Sequence, residues 1–200
     1  GIRVESVAQQ NAAPARGAEW SGEDGKSLRL ASAGKTIWNF NFDKQSAKPY
    51  LHPVSTGAGT ELTWLHPADH LWHHGIWFSW KFINGVNYWE EKNGVSDGLT
   101  EVVASEIDKQ SDPSASVKLK LHYRLPQKPP LLEERRTVRI SAPDAGGEYF
   151  IDWQHTFTAL AEVTLDRTPP KAYGGPDWGG YGGLSYRATQ AMRGYKVLDS

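Results

Sequence analysis

Apolar and polar residues alternate in short runs along most of this chain, and glycine, proline, asparagine and aspartate separate the runs. A period of two marks strands with one face turned inward. Residues 27–31 (SLRLA) and 35–42 (KTIWNFNF) form one such pair around Gly34, and they predict a hairpin with Trp38, Phe40 and Phe42 on one face and Ile37 on the other. Residues 50–54 predict a short extended piece broken by Pro53. After the loop STGAGT, residues 61–65 resume a strand that His66-Pro67 ends. Residues 76–83 carry bulky side chains on both faces, the pattern of a strand buried between two layers. Asn84-Gly85 follows directly. Both central residues of a type I′ turn need positive φ, so this dipeptide predicts a tight hairpin returning through residues 86–91. Four more strands are predicted over 100–108, 116–125, 131–141 and 148–163, with Val117, Leu119, Leu121 and Tyr123 inward and Lys118, Lys120 and His122 outward. No segment holds a long apolar period of 3.6 residues. The pattern therefore predicts an all-β fold, an antiparallel β-sandwich with little helix.

Two hundred residues with 38% hydrophobic content suffice for one core, so residues 19–200 are expected to form a single domain. Residues 1–18 read as a flexible leader; their Ala/Pro/Gln-rich part, 8–16, is of the kind that follows a removed export signal, and a periplasmic or secreted location is expected, with a cytoplasmic one as the alternative. A formal net charge of −1 without a run of one sign offers nucleic acid or an anionic membrane no electrostatic footprint. No apolar run approaches the roughly 20 residues of a membrane span. Neither nucleic acid nor membrane is therefore an expected partner. The absence of cysteine removes disulfides, thiolate metal sites and thiol nucleophiles, and leaves His, Asp and Glu as the strong metal ligands. Nine tryptophans and eight tyrosines exceed what core filling asks for. Flat rings of this kind match the C–H face of a pyranose while the indole N–H reaches a hydroxyl, which points to a small-molecule carbohydrate partner; an aromatic-heavy sandwich core is the plainer explanation.

Chemistry concentrates in DHLWHHG, residues 69–75, where three of the seven histidines lie within five positions of an aspartate. In an extended chain His73 and His74 would point to opposite faces. A turn at Gly75 would let Asp69, His70 and one of His73 or His74 converge, and two imidazoles with a carboxylate make a complete set for a divalent metal ion. The plainer alternative has these rings hydrogen-bonding backbone carbonyls at a strand start. The Asn84-Gly85 turn sets Ile83 opposite Val86 and Phe82 opposite Asn87, and the same count puts Phe78 opposite Glu91 and Ser79 opposite Glu90. One glutamate should then share the histidine face as base or ligand. Glu90 is the choice, because Trp89 and Glu91 share the other face. His155, between Trp153 and Phe157, reads as a satisfied core residue. His52 leans toward the cluster, and His66 is as well explained as inert. Arg187 in LSYRAT either fixes a hydroxyl-rich ligand or forms an ordinary ion pair.

The stretch HPADHLWHHGIWFSWKFINGVNYWEE, residues 66–91, resembles the PmoA-like family, whose members carry D-H-P-W-H-[RH]-G-[LI]-W-F-x-W followed by N-G-V-x-[FY]-W-E. PYLHPVSTGAGTELT, LLEERR, IDWQHTFTA and GGYGGLSYR extend the likeness over residues 35–188, and Leu71 stands where the motif has proline. The family's name refers to methane oxygenase, a membrane chemistry for which this chain offers no apolar span. The resemblance implies a β-sandwich similar to the galactose-mutarotase-like supersandwich and a carbohydrate-related role. It also implies further strands beyond the point matching Asp199, so that the chain would be incomplete at its C-terminus.

Together these readings predict a carbohydrate-active enzyme of lyase, hydrolase or epimerase type. His70, His74 and Glu90 would move protons, His52, Trp72, Trp77 and Arg187 would bind substrate, and Asp69, His70 and His74 would hold a divalent metal ion if one takes part. The alternative is a non-catalytic carbohydrate-binding β-sandwich module.

Overall fold

The computed structural model describes residues 17–180 and 182–192, and strands dominate it. In chain order they are β1 (Ala18–Ser21), β2 (Ser27–Ser32), β3 (Lys35–Asn41), β4 (Tyr50–Val54), β5 (Ile76–Ser79), β6 (Phe82–Ile83), β7 (Val86–Asn87), β8 (Leu99–Lys109), β9 (Ala115–Arg124), β10 (Leu132–Ile140), β11 (Ile151–Ala159), β12 (Leu165–Asp166) and β13 (Gly183–Tyr186). A six-stranded sheet, β1-β2-β3-β4-β5-β13, faces a four-stranded one, β11-β10-β9-β8, and β12-β6-β7 form a small third sheet. Every pairing is antiparallel. The fold is an all-β sandwich. Its core joins Leu28, Leu30, Trp38, Phe40 and Leu51 of the larger sheet to Val102, Val117, Leu119, Leu121, Val138 and Ile140 of the smaller.

Local chemistry explains the hairpins. Ala33 and Gly34 both take positive φ between β2 and β3, and Asn84 and Gly85 do so between β6 and β7, as a type I′ turn demands. Along β9 the odd positions from Val117 to Tyr123 are buried while Lys118, Lys120 and His122 look outward. β1 begins inside the expected leader, at Ala18, and pairs with β2. The leader's export-like part, 8–16, lies outside the described residues.

Four expected strands differ. A bulge where β3 passes Leu30 and Ala31 brings Ile37 into the same core as Trp38, Phe40 and Phe42 instead of onto the opposite face. Residues 76–83 split, because β5 pairs with β13 in the large sheet whereas β6 pairs with β7 and β12, so the chain changes sheets at Trp80-Lys81. The return strand stops at Asn87, whose side-chain carbonyl accepts the N–H groups of Trp89 and Glu90 at 2.8 and 3.3 Å and turns the backbone away from the ladder. Phe78 and Ser79 consequently face Leu184 and Gly183 instead of Glu91 and Glu90. Residues 61–65 form only isolated bridges, Ser55 with Glu61, Thr63 with Ala188 and Leu65 with His74.

A buried ion pair sits inside the sandwich. Glu134 and Arg136, on the inward face of β10, are fully buried. Glu134 accepts from Arg136 Nε at 2.6 Å and Nη2 at 3.0 Å, from His155 Nδ1 at 2.7 Å and from the Tyr123 hydroxyl. The guanidinium lies between the rings of Phe78 and Trp153, 5.7 and 5.2 Å from their centroids. His155 is thus half-buried at the edge of the core and satisfied by a carboxylate.

Candidate functional site

The outer face of the six-stranded sheet is polar at its centre. Asn41, Tyr50 and Trp77 are direct neighbours across β3, β4 and β5, so their side chains share the face opposite the core. The segment 66–74 folds over them. His70 donates its backbone N–H to Pro67 at 2.9 Å and His73 to His70 at 3.0 Å, while Leu65 and His74 bridge its base. Gly75 makes the crossing possible. Its φ is +82°, and a Cβ there would sit 2.6 Å from the Leu51 carbonyl oxygen and 3.1 Å from His52 Cβ. Gly75→Ala is expected to lower stability by about 1–3 kcal/mol through left-handed strain alone. A urea titration would register the loss, and an unchanged midpoint would contradict it.

Four side chains form a continuous polar line on this face. Lys48, fully buried, donates to the Trp89 carbonyl at 2.8 Å and to Glu91 Oε1 at 2.6 Å. His74 Nε2 lies 2.7 Å from the same Glu91 oxygen, and His74 Nδ1 lies 3.2 Å from His66 Nε2. The network itself assigns the protons: a carboxylate can only accept, so His74 carries Nε2–H and offers Nδ1 to the Nε2–H of His66. His66 is exposed, and its Nδ1 is left as the basic nitrogen at the end of the line. Burial would raise the Glu91 carboxyl, but the hydrogen bond from His74 and the Lys48 charge outweigh it and hold it below the ordinary value. Burial lowers His74 by more than Glu91 raises it, so the ring is neutral. Burial likewise lowers Lys48, against the pull of Glu91.

A second imidazole stands beside the first. The Thr63 hydroxyl accepts the Val54 N–H at 3.0 Å and lies 3.0 Å from His52 Nδ1. The Glu61 carboxylate, 3.9 Å from His52 Nε2, can only accept, which favours the tautomer with Nε2–H and with Thr63 as donor to Nδ1. His52 is lowered by burial and, after the opposing pull of Glu61, by the charge of His66, so the two rings feel one another. His66 holds φ +48°, a left-handed conformation uncommon for a residue with a side chain, and such strain gathers at functional positions.

Several expected roles change. Glu90 does not reach the histidines: Asn87 turns its backbone and its carboxylate pairs with the buried Lys81, so Glu91 is the glutamate of the site. Trp77 is 1% exposed beneath the loop, 4.9 Å from the His73 ring and 5.6 Å from Trp89, and it is a platform with no surface for substrate. Trp72 is half-buried with its ring edge-on to His70 and His73. Arg187 Nη2 donates to both Asp69 oxygens at 2.8 and 2.6 Å, the ordinary ion pair of the two readings. Asp69, His70 and His74 do not converge as a metal set. Arg187 occupies the Asp69 carboxylate, His70 lies 3.0 Å from it, and both nitrogens of His74 are engaged elsewhere. Among the described residues no group of three or more His, Asp or Glu side chains is placed to hold a metal ion.

Residues 27–200 match the profile of DUF6807, a family of unknown function. The chain belongs to that family. No curated protein and no solved structure matches it. Among the described residues of this DUF6807 chain, no helix is long and apolar enough to cross a membrane.

Sequence reasoning left His66 undecided, chose Glu90 over Glu91 and passed over Lys48. The bridge between Leu65 and His74 brings His66 back to the cluster, and only the folded loop reveals it. Lys48 lies 43 positions from Glu91 and carries no local signal.

Proposed function

We propose that this chain is a carbohydrate-active enzyme that moves a proton on a polyhydroxylated substrate, with His66 as base and His52 as the opposing N–H donor. The observation that carries the reading is the unbroken line Lys48–Glu91–His74–His66, which ends on an exposed ring. When His66 Nδ1 takes a proton, the positive charge that develops is shared through His74 with a carboxylate already ionised and oriented. Lys48 holds Glu91 in place and keeps it ionised. Asn41 and Tyr50 on the sheet, with Trp72 above, supply polar and aromatic surface of the kind that sugar rings use. The motif shared with the PmoA-like family favours the same substrate class. A lyase, hydrolase or epimerase reaction on a glycoside or keto-sugar fits this acid-base pair.

The test is turnover of glycosides and their 3-keto derivatives by wild-type protein and by His66→Gln. General-base loss of this kind lowers kcat by about 10²–10⁴-fold. Turnover unaffected by the substitution would end the proposal. Sugar binding without turnover in the wild type would favour a non-catalytic module instead.

A further inference from the structure

Arg187 touches both ends of the histidine loop. Its backbone N–H donates to the Gly75 carbonyl at 2.7 Å and its carbonyl accepts the Trp64 N–H at 2.8 Å, so its main chain closes the loop's base. Its guanidinium reaches over Trp64, 5.3 Å from the ring centroid, and its Nη2 donates to both carboxylate oxygens of Asp69 at the loop's tip. The Asp69 carboxyl is held at about 2, first by the hydrogen bond from Arg187, so the partner is ionised at any physiological pH.

The remaining tethers of the tip are few. His70 and His73 stack at 4.5 Å and His73 lies on Trp77, but neither ring bonds the sheet. Exposed ion pairs usually contribute little; this one is favoured because the guanidinium lies over the Trp64 ring and is ordered there before its Nη2 reaches both oxygens of Asp69. The His66 N–H donates to the His73 carbonyl at 2.9 Å, so movement of the tip is passed to the ring that ends the proton line.

We infer that Arg187 and Asp69 form a latch that positions His66 on His74, making both positioning residues of the site. The inference rests on the proton line proposed above. With the latch open, the 67–73 tip moves away from the fixed Leu65–His74 base, the strained backbone of His66 relaxes with it, and the contact of His66 with His74 is lost. Arg187 then governs whether the base is aligned without touching substrate.

The experiment uses ¹⁵N-histidine NMR of the intact chain with Asp69→Asn, Asp69→Glu and Arg187→Gln. The signal is the ¹⁵N shift of His74 Nδ1, which moves when its lone pair loses a hydrogen bond, read beside the Nε2–H proton shared with Glu91. Asp69→Asn and Arg187→Gln are expected to move the Nδ1 signal to the unbonded position and leave the Nε2–H in place. Asp69→Glu keeps a carboxylate and is expected to retain the wild-type shift. Asp69 is exposed at a loop tip, so its variants fold, and core amides of β9 report that directly. An unmoved His74 Nδ1 in Asp69→Asn would overturn the latch alone. A wild-type Nδ1 without a hydrogen bond would remove the proton line, and the latch with it.

Discussion

Replacing Arg136 by methionine is expected to lower stability by about 3–5 kcal/mol, the range found when one partner of a buried pair is removed. The reason is what stays behind: Glu134 is fully buried, and without the guanidinium its charge has only Tyr123 and His155 to face. The double change Glu134→Leu with Arg136→Met removes both charges and should be much milder than Arg136→Met alone. Urea titrations at neutral pH measure both. Equal losses in the single and double variants would mean that packing against Phe78 and Trp153, not the ion pair, carries the effect.

The same pair sets a pH dependence with a fixed sign. Burial raises the Glu134 carboxyl, but the charge of Arg136 and three hydrogen bonds outweigh it and hold it at about 2. A carboxyl lowered on folding contributes stability that is complete above the ordinary glutamate value of about 4.3 and is lost as pH falls toward 2. Wild-type protein should therefore weaken steeply across that interval. In Arg136→Met the carboxyl is no longer held down, and the variant should lose less over the same range.

The second large effect is expected at Glu91. Glu91→Leu leaves the Lys48 ammonium buried with a single carbonyl partner and frees His74 Nε2. Stability should fall by about 3–5 kcal/mol, as for other broken buried pairs. Turnover on the substrate found for the wild type should fall by about 10²–10⁴-fold. Adding Lys48→Met separates the two roles, since it removes the stranded charge but cannot restore the line to His66. Recovered stability with turnover still absent is the expected result. Recovery of both would show that Glu91 serves the fold alone. Glu90→Gln is the control, because Glu90 pairs with Lys81 away from the imidazoles.

The sandwich itself was legible. Alternation in 116–125 translates directly into β9 with the expected faces, because a side chain's face in a regular strand depends on whether its position is odd or even. β2 and β3 form where 27–31 and 35–42 predict them, but the bulge between them puts Ile37 in the core beside Trp38, which parity alone does not foresee. Asn84-Gly85 gave its turn for an equally local reason, the positive φ of both residues. The continuation of that hairpin was not legible. Counting register beyond Asn87 assumes an unbroken ladder, and the Asn87 side chain breaks it within two residues. That one bond moved the glutamate of the site from Glu90 to Glu91.

What the sequence alone determined is the class of fold, the faces of its long strands and the chemical make-up of the histidine loop. Those follow from dihedral preference and the period of the strand, which act over a few residues. Only the tertiary structure decided which rings meet which carboxylate, that Trp77 is a buried platform, and that Arg187 grips Asp69 across 118 positions. Such contacts depend on how β3, β4, β5 and β13 are set side by side, and no local pattern records an adjacency that arises only when the sheet closes.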